Sequence, residues 1–291
     1  MTVAGPRRGS VLGTDGAIVS KPRSVIRRVL LASLATALAA TAGYSALNLG
    51  SDAEAAATLP PTHAKFDYQI GGAYTPPSGV QVVTRDRTAA PAAGLYNICY
   101  VNAFQVQPGE QGSWASDLLL RDAQGNLVID EDWGEPLLDL RTADKRTRVA
   151  AKVNGWIDQC AAKGYKAIEP DNYDSYERSK NLLTKSQAKA YLTLLATHAH
   201  SKNVAIAQKN TVELAADRQS VGLDFAVAEE CGQYDECGDY VDHFGNNVIV
   251  IEYTNAGRQK ACSGFGSTLT IVQRDVDVST PGTSGYVRKT C

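Results

Sequence analysis

Short apolar runs recur along the chain, and polar, helix-like stretches separate several of them. Most of these runs are rich in Val, Ile, Tyr or Ala and are too short for core helices, which is typical of buried strands. We therefore predict eight strands, at residues 80–84, 95–101, 137–141, 167–171, 204–210, 225–230, 248–253 and 268–273.

Two helices are clearly predicted between these strands. Residues 143–163 combine charged residues with a set of apolar positions, and Gly164 is placed to end the helix. The other helix begins after Thr184, because Gln187 three residues later completes a capping-box pattern. Strands that alternate with helices indicate a parallel sheet covered by helices. Eight such strands predict a single-domain α/β protein, a (β/α)8 TIM-type barrel, with a doubly wound sheet as the alternative.

The first fifty-odd residues differ from the rest of the chain. Basic residues precede an Ala/Leu-rich apolar run from Val29 to about Leu49, and Ala53-Glu54-Ala55 matches a signal-peptidase site. We therefore predict an export segment over 1–55, a proline-rich leading segment over 56–78 and the barrel domain over 79–291. The protein would then be secreted, with no membrane contact beyond the export signal. An uncleaved membrane anchor is the alternative.

Six cysteines all lie after the export segment, and an even number in an exported chain indicates disulfides. Among the possible pairings we favour Cys231–Cys237 as a short staple and Cys262–Cys291 as a clamp on the C-terminus, which leaves Cys99–Cys160. The chain has no CxxC pair, and its four histidines have no ligand-like spacing. We therefore expect neither a metal nor a cofactor. The net charge of -2 does not favour nucleic acid as a partner.

Ionisable residues end several predicted strands, where the active site of a barrel lies. Alternation puts Glu169 and Asp171 on one face of their strand, whereas only one of Glu229 and Glu230 can point inward. Two carboxylates with different roles are the minimum for glycoside hydrolysis. Buried ion pairs and helix caps are the alternative explanation. Aromatic residues near the same ends would stack on sugar rings or simply pack: Tyr68, Tyr100, Trp133, Tyr173, Tyr176, Tyr234 and Tyr253.

Five motifs occur in an order that resembles glycoside hydrolase family 114, the endo-α-1,4-polygalactosaminidases. They are EPDNYDSY at 169–176, QKN at 208–210, DFAVAEEC at 224–231, YDEC at 234–237 and IEY at 251–253, and WGEPLLDLR at 133–141 is similar to a further family segment. The resemblance spans about residues 66 to 291. It implies a barrel that cuts within chains of α-1,4-linked galactosamine, so the partner would be an amino-sugar polysaccharide. We expect the protein to be a monomer.

The resemblance also implies roles for individual residues. The catalytic carboxylates would be Asp171, as nucleophile, and Glu229, as general acid/base, with retention of configuration. Further matching positions would bind substrate: Glu169, Asn172, Asp174, Lys209, Asn210, Glu252 and Tyr253. The family pattern has one acid where this chain has Glu229 and Glu230, and the first predicted strand is less acidic than expected. A non-catalytic carbohydrate-binding barrel and a hydrolase of another α-linked glycan are the alternatives.

Overall fold

The computed structural model describes residues 57–291, and a nine-stranded sheet forms the centre of this part of the chain. The predicted export segment, its cleavage site and the alternative anchor lie outside the described residues. Nine strands form the sheet: β1 (Phe66–Gln69), β2 (Val82–Asp86), β3 (Tyr96–Asn102), β6 (Ala167–Asp171), β7 (Ala205–Lys209), β8 (Phe225–Glu229), β9 (Val248–Glu252), β10 (Thr270–Arg274) and β11 (Arg288–Thr290). Between β3 and β6, β4 (Ile129–Asp130) and β5 (Glu135–Pro136) form a separate two-stranded hairpin.

The first eight strands of the sheet are parallel neighbours in chain order, and β11 adds to β10 in the antiparallel direction. Each of the eight parallel strands contributes to one inner apolar cluster, which includes Phe66, Val82, Ile98, Ala167, Ala207, Val227, Ile251 and Val272. A sheet whose first and last parallel strands share one core must curl around it. The predicted barrel class is therefore confirmed.

The outward faces of the strands pack against helices in a second, larger cluster. The helices are α1 (Ala143–Lys163), α2 (Lys185–Ser201), α3 (Arg218–Val221), α4 (Cys237–Phe244) and α5 (Asn255–Phe265). None of these described helices is both long and apolar enough to cross a membrane. The two predicted helices begin and end as expected. Thr184 and Gln187 form both hydrogen bonds of the capping box before α2, and Gly164 ends α1 in the left-handed conformation with φ 96°.

The predicted strand at 137–141 is wrong, because this segment is not part of the barrel. Leu137 and Leu138 instead form single antiparallel bridges with Gln105 and Leu119, and both leucines are fully buried in the outer cluster. An apolar run that packs a long connection against the barrel has the same composition as a barrel strand.

The missing strand is β1, which pairs with β2 from Phe66 to Gln69. It lies inside the segment 56–78 that we predicted to precede the domain, so the sheet begins before residue 79. The prolines that flank this four-residue strand hide it, because proline marks turns and ends more often than sheet interiors.

The predicted pairing of all six cysteines is confirmed, as Cys99–Cys160, Cys231–Cys237 and Cys262–Cys291. The last of these holds the end of the chain to α5. Just before it, Arg288 of β11 donates hydrogen bonds to Asp67 Oδ1 at 3.0 Å and to the carbonyl of Phe66 at 2.8 Å. The C-terminal strand therefore links β10 to β1, where the barrel closes.

We expect the double substitution Cys262→Ser/Cys291→Ser to lower the free energy of unfolding by about 2–4 kcal/mol. It releases the strand that closes the barrel, and it increases the conformational entropy of the unfolded chain. Denaturant unfolding followed by circular dichroism measures this loss. The matched variant Cys231→Ser/Cys237→Ser opens a loop with a separation of only 6 residues, against 29. Equal losses from the two variants would contradict the role assigned to the C-terminal clamp.

Candidate active site

A single buried lysine lies at the centre of the candidate site. Lys209 ends β7, and its Nζ lies 3.0 Å from Glu169 Oε1, 3.2 Å from Asp171 Oδ1 and 3.4 Å from Glu229 Oε2. The side chain of Lys209 is 1% exposed. One ammonium group on β7 therefore connects three carboxylates that come from β6 and β8, the strands on either side of it.

Strand alternation explains why these four side chains meet. Ala167, Ala207 and Val227 belong to the inner cluster of the barrel. Residues two positions further along a strand point to the same face, so Glu169, Lys209 and Glu229 also point inward. The same parity continues to Asp171 and leaves Glu230 outside the group. Because the strands are parallel, their C-terminal ends lie at the same rim, where a barrel places its chemistry.

Each carboxylate is also held by a tyrosine. Tyr68 donates to Glu169 at 2.8 Å, and Tyr100 donates to Asp171 at 2.7 Å. The hydroxyl of Tyr253 donates to Glu229 Oε1. These bonds orient the acids from β1, β3 and the end of β9, so strands on both sides of Lys209 fix the geometry.

Asn210 gives Glu229 a second support. Its Nδ2 donates to Glu229 Oε2 at 2.9 Å, while its Oδ1 accepts the backbone N–H of Glu229 at 2.8 Å. One amide side chain thus fixes both the backbone and the carboxylate of this residue. These bonds make Asn210 a support for Glu229, and its predicted contact with substrate stays a prediction.

The three carboxylates differ in their exposure. The side chain of Glu169 is fully buried, whereas Asp171 is 18% exposed and Glu229 is 20% exposed. Of these three acids, only Asp171 and Glu229 can therefore touch a molecule that enters the rim, and Glu169 forms part of the wall behind them.

Burial and charge give these groups different protonation. Burial alone would raise the pKa of Asp171, but the Lys209 cation and the hydrogen bond from Tyr100 outweigh it and hold that pKa below its usual range. Burial raises the pKa of Glu169, and Lys209 offsets this only in part. Burial would lower the pKa of Lys209, but Asp171 and Glu229 together raise it well above its usual value. Asp171 is therefore ionised beside a charged lysine.

Backbone strain follows directly after the site. Asn172, Asn210 and Glu230 each come immediately after a residue of the Lys209 cluster, and all three are left-handed, with φ 67°, 51° and 60°. Asparagine tolerates this conformation, but glutamate adopts it rarely, so Glu230 carries strain. Strained backbone of this kind clusters at functional sites.

The structure places Asn172 and Asp174 beside the cluster. Asn172 donates to Asn102 Oδ1 at 3.0 Å and accepts from Arg178 at 3.2 Å. Asp174 forms an ion pair with Arg178 at 2.8 Å. Asp174 therefore has a protein partner at the rim.

Glu252 does not join the group around Lys209. Ile249 and Ile251 of β9 point into the barrel, so Glu252 points outward and is fully buried there. Its Oε1 accepts the backbone N–H of Gly232 at 2.7 Å. Its Oε2 packs so closely on Gly257 that a Cβ there would lie at 2.1 Å. Burial raises the pKa of Glu252 to about 7.

One group among the described residues has the proximity of metal ligands, namely Cys231, Cys237 and Glu252. The two sulfur atoms are joined in a disulfide. Since the thiolate is the form that ligates metals, this group is not suited to hold one.

Sequence reasoning missed three polar residues at the same rim: Asn102, Glu135 and Arg178. Asn102 ends β3 and donates to Glu135 Oε2 at 2.8 Å. Asn102 follows the same parity as Ile98 and Tyr100, and this signal could have found it. Glu135 and Arg178 lie in connections without periodicity. Among the noted aromatic residues, Tyr173 and Tyr176 are buried, whereas Trp133 is 60% and Tyr234 58% exposed.

A carboxylate pair at the C-terminal rim of a (β/α)8-type barrel is the arrangement that glycoside hydrolysis requires. The sequence profile of glycoside-hydrolase family GH114 matches residues 48–291, and the chain belongs to this family. It is thus a glycoside hydrolase. No curated protein matches the chain.

Two solved structures share the fold. Ega3 from Aspergillus fumigatus, solved in complex with galactosamine, is 22% identical, with a TM-score of 0.67 over 81% of this chain and 98% of that chain. The glycoside hydrolase domain of PelA from Pseudomonas aeruginosa is 15% identical, with a TM-score of 0.51 over 76% of this chain and 97% of that chain. The barrel is therefore common to all three proteins.

We expect Lys209→Met to move the acid limb of the pH profile of kcat/KM to higher pH. Asp171 keeps its burial in this variant but loses the cation that lowers its pKa, so it protonates at a higher pH. Removing one partner from a buried ion cluster should also cost about 3–5 kcal/mol of folding free energy. The control Lys260→Met removes an exposed lysine that pairs with Asp235. An unchanged acid limb in Lys209→Met would contradict this role.

We expect Glu252→Gln to keep near wild-type turnover and to change how stability depends on pH. The folded protein holds the Glu252 proton up to about pH 7, whereas the ordinary pKa of the group is 4.5. Between these values the folded state binds more protons, so the free energy of unfolding falls as pH rises. Glutamine removes this titration and should flatten the fall, as measured by denaturant unfolding at several pH values. If the free energy of unfolding depended on pH in the same way in Glu252→Gln and in the wild-type protein, the role of Glu252 would be refuted. The control is Glu131→Gln, which changes an exposed glutamate.

Proposed function

We propose that this glycoside hydrolase cleaves within chains of α-1,4-linked galactosamine, with Asp171 as nucleophile and Glu229 as general acid/base. The observation that carries the proposal is the Lys209 cluster, in which Asp171 and Glu229 are the two exposed acids. The ionised state of Asp171 suits a nucleophile.

The spacing of the two acids supports a retaining mechanism. Asp171 Oδ1 and Glu229 Oε2 lie 3.2 and 3.4 Å from the same Nζ, so these oxygens are at most 6.6 Å apart, the sum of the two distances. Retaining enzymes hold their carboxyl groups about 5–5.5 Å apart, whereas inverting enzymes need about 6.5–9.5 Å to admit a water. The bound on these two inner oxygens includes the whole retaining range, which supports the proposal of retention.

The reaction then has two balanced steps. In the first, an oxygen of Asp171 attacks the anomeric carbon, the glycosidic bond breaks, and Glu229 gives its proton to the leaving oxygen. In the second, Glu229 takes a proton from water, whose oxygen attacks the same carbon and releases Asp171. Tyr253 and Asn210 hold Glu229 in place through both steps.

The charge at the rim supports a cationic substrate. Glu169, Asp171 and Glu229 surround one lysine, so carboxyl groups outnumber cations here and favour a positive ligand even when Glu229 carries the proton of the general acid. Galactosamine carries an ammonium group at neutral pH, whereas a uronic acid would be repelled. The structure of Ega3, which shares this fold, was solved in complex with galactosamine.

We also propose that the protein is exported. Three disulfides within the described residues suit an oxidising compartment. The basic, apolar and small-residue order of the first 55 residues is that of a signal segment.

We expect Asp171→Asn to abolish the release of reducing ends from oligogalactosamine, because the amide cannot attack the anomeric carbon. Glu229→Gln should lower kcat by about 10²–10⁴-fold through loss of proton transfer. Both proteins should still unfold cooperatively. The matched control is Glu230→Gln, which alters the neighbouring acid outside the Lys209 group and should retain most activity.

Two outcomes would contradict this assignment. If Asp171→Asn and Glu229→Gln both cleaved the oligomer at the wild-type rate, these two residues would not be the catalytic acids. Binding of the oligomer by the wild-type protein without release of reducing ends would instead indicate a non-catalytic carbohydrate-binding barrel. Proton NMR of the first product tests the stereochemistry, since retention releases the α anomer first and inversion releases the β anomer.

A further inference from the structure

A fourth carboxylate lies next to the Lys209 cluster and has no part in the mechanism above. Glu135 belongs to β5, on the two-stranded hairpin in the connection between β3 and α1. Its Oε2 accepts from Asn102, and Asn102 Oδ1 accepts from Asn172 at 3.0 Å. Asn172 directly follows Asp171, and its backbone N–H donates to Asp171 Oδ1 at 2.8 Å. Two side chains therefore connect Glu135 with the nucleophile.

The other acids in this part of the rim already have cationic partners. Arg178 lies 2.7 Å from Asp130 and forms a two-pronged pair with Asp174 at 2.8 and 2.9 Å. Glu169 has Lys209. Among the described residues, Glu135 has no cation within 4.0 Å, and its Oε1 accepts no hydrogen bond. One oxygen of Glu135 is thus fixed by Asn102, while the other is left for a ligand.

We propose that Glu135 selects the substrate by accepting the ammonium group of the galactosamine unit that Asp171 attacks. This inference rests on the proposed function. The amino group of the sugar is on C2, one bond from the reacting C1, so a residue that reads it must lie beside the nucleophile. Glu135 meets this requirement through Asn102 and Asn172.

The chemistry of Glu135 explains why it would discriminate. The side chain is 9% exposed, so a bound sugar would remove its remaining contact with water. An ammonium group would then replace the lost hydration with a charge-assisted hydrogen bond. An N-acetylated sugar offers only a neutral amide N–H and an added acetyl group, so the desolvated carboxylate would lose its counter-charge. Glu135 would therefore distinguish free amino sugars from acetylated ones.

The electrostatics of the pocket agree with a cationic ligand. Burial raises the pKa of Glu135, the bond from Asn102 lowers it in part, and Asp171 and Asp130 raise it further. Arg178 is the nearby cation and acts weakly in the opposite direction. A ligand ammonium at Oε1 would favour the ionised carboxylate.

The test is Glu135→Gln, which keeps an oxygen for Asn102 but removes the charge. We expect the preference for fully deacetylated over partly N-acetylated α-1,4-galactosamine oligomers, measured as a ratio of kcat/KM values, to fall about 10- to 100-fold. The change should come mainly from a higher KM for the deacetylated oligomer. Glu135→Asp keeps the charge and should retain more of the preference. The matched control is Asp132→Asn, an exposed acid on the same hairpin, which should leave the ratio unchanged.

Two outcomes would overturn the inference. The first is an unchanged ratio in Glu135→Gln; if both substrates lose activity equally, Glu135 only supports Asn102. The second is a Glu135→Asp variant that is no more selective than Glu135→Gln. Cleavage of neither substrate by the wild-type protein is a separate result, because it refutes the proposed function together with the inference that depends on it.

Discussion

The contact of one buried ammonium group with three carboxylates constrains the whole candidate site. Bringing Glu169, Asp171 and Glu229 to one rim costs solvation for each acid, and without a cation their mutual repulsion would force protonation. Lys209 offsets both costs, and it lies on β7, between the two strands that carry these acids. Lysine suits this position because its compact charge can face three partners, whereas the planar fork of arginine favours one carboxylate.

The surroundings then divide the roles among chemically similar acids. Tyr68, Tyr100 and Tyr253 stay protonated because burial, and after it the adjacent carboxylate, raises the pKa of each well above its usual value. They therefore act as hydrogen-bond donors. Exposure makes the remaining distinction, since Glu169 is sealed inside while Asp171 and Glu229 reach the cleft. Position in the barrel, rather than residue type, separates the wall residue Glu169 from the proposed reacting pair.

Sequence patterns predicted the parts of the molecule that local rules control. Period-two alternation placed Glu169 and Asp171 together, and capping chemistry located α1 and α2. The same alternation, applied to β9, would have placed Glu252 outside the barrel, but all five residues of that strand are buried and its two faces look alike in composition. The segment 137–141 was misread for a related reason, because burial against a long connection and burial in a sheet select the same leucines.

Two of the residues that sequence reasoning missed lie in connections, Glu135 between β3 and α1 and Arg178 between β6 and α2, and there is a physical reason for this. Barrel strands must satisfy backbone pairing and a shared core, so their patterns are regular and their chemistry is tied to strand ends. Connections are free of that constraint and can vary in length and composition, which is why binding residues often lie there. Here the β4–β5 hairpin holds Glu135 against Asn102, and Asn102 pairs in register with Asp171 across β3 and β6. This hydrogen bond joins the connection to a barrel strand, so under the proposed role of Glu135 substrate choice would depend on the connection, whereas the proposed reacting pair lies on the strands.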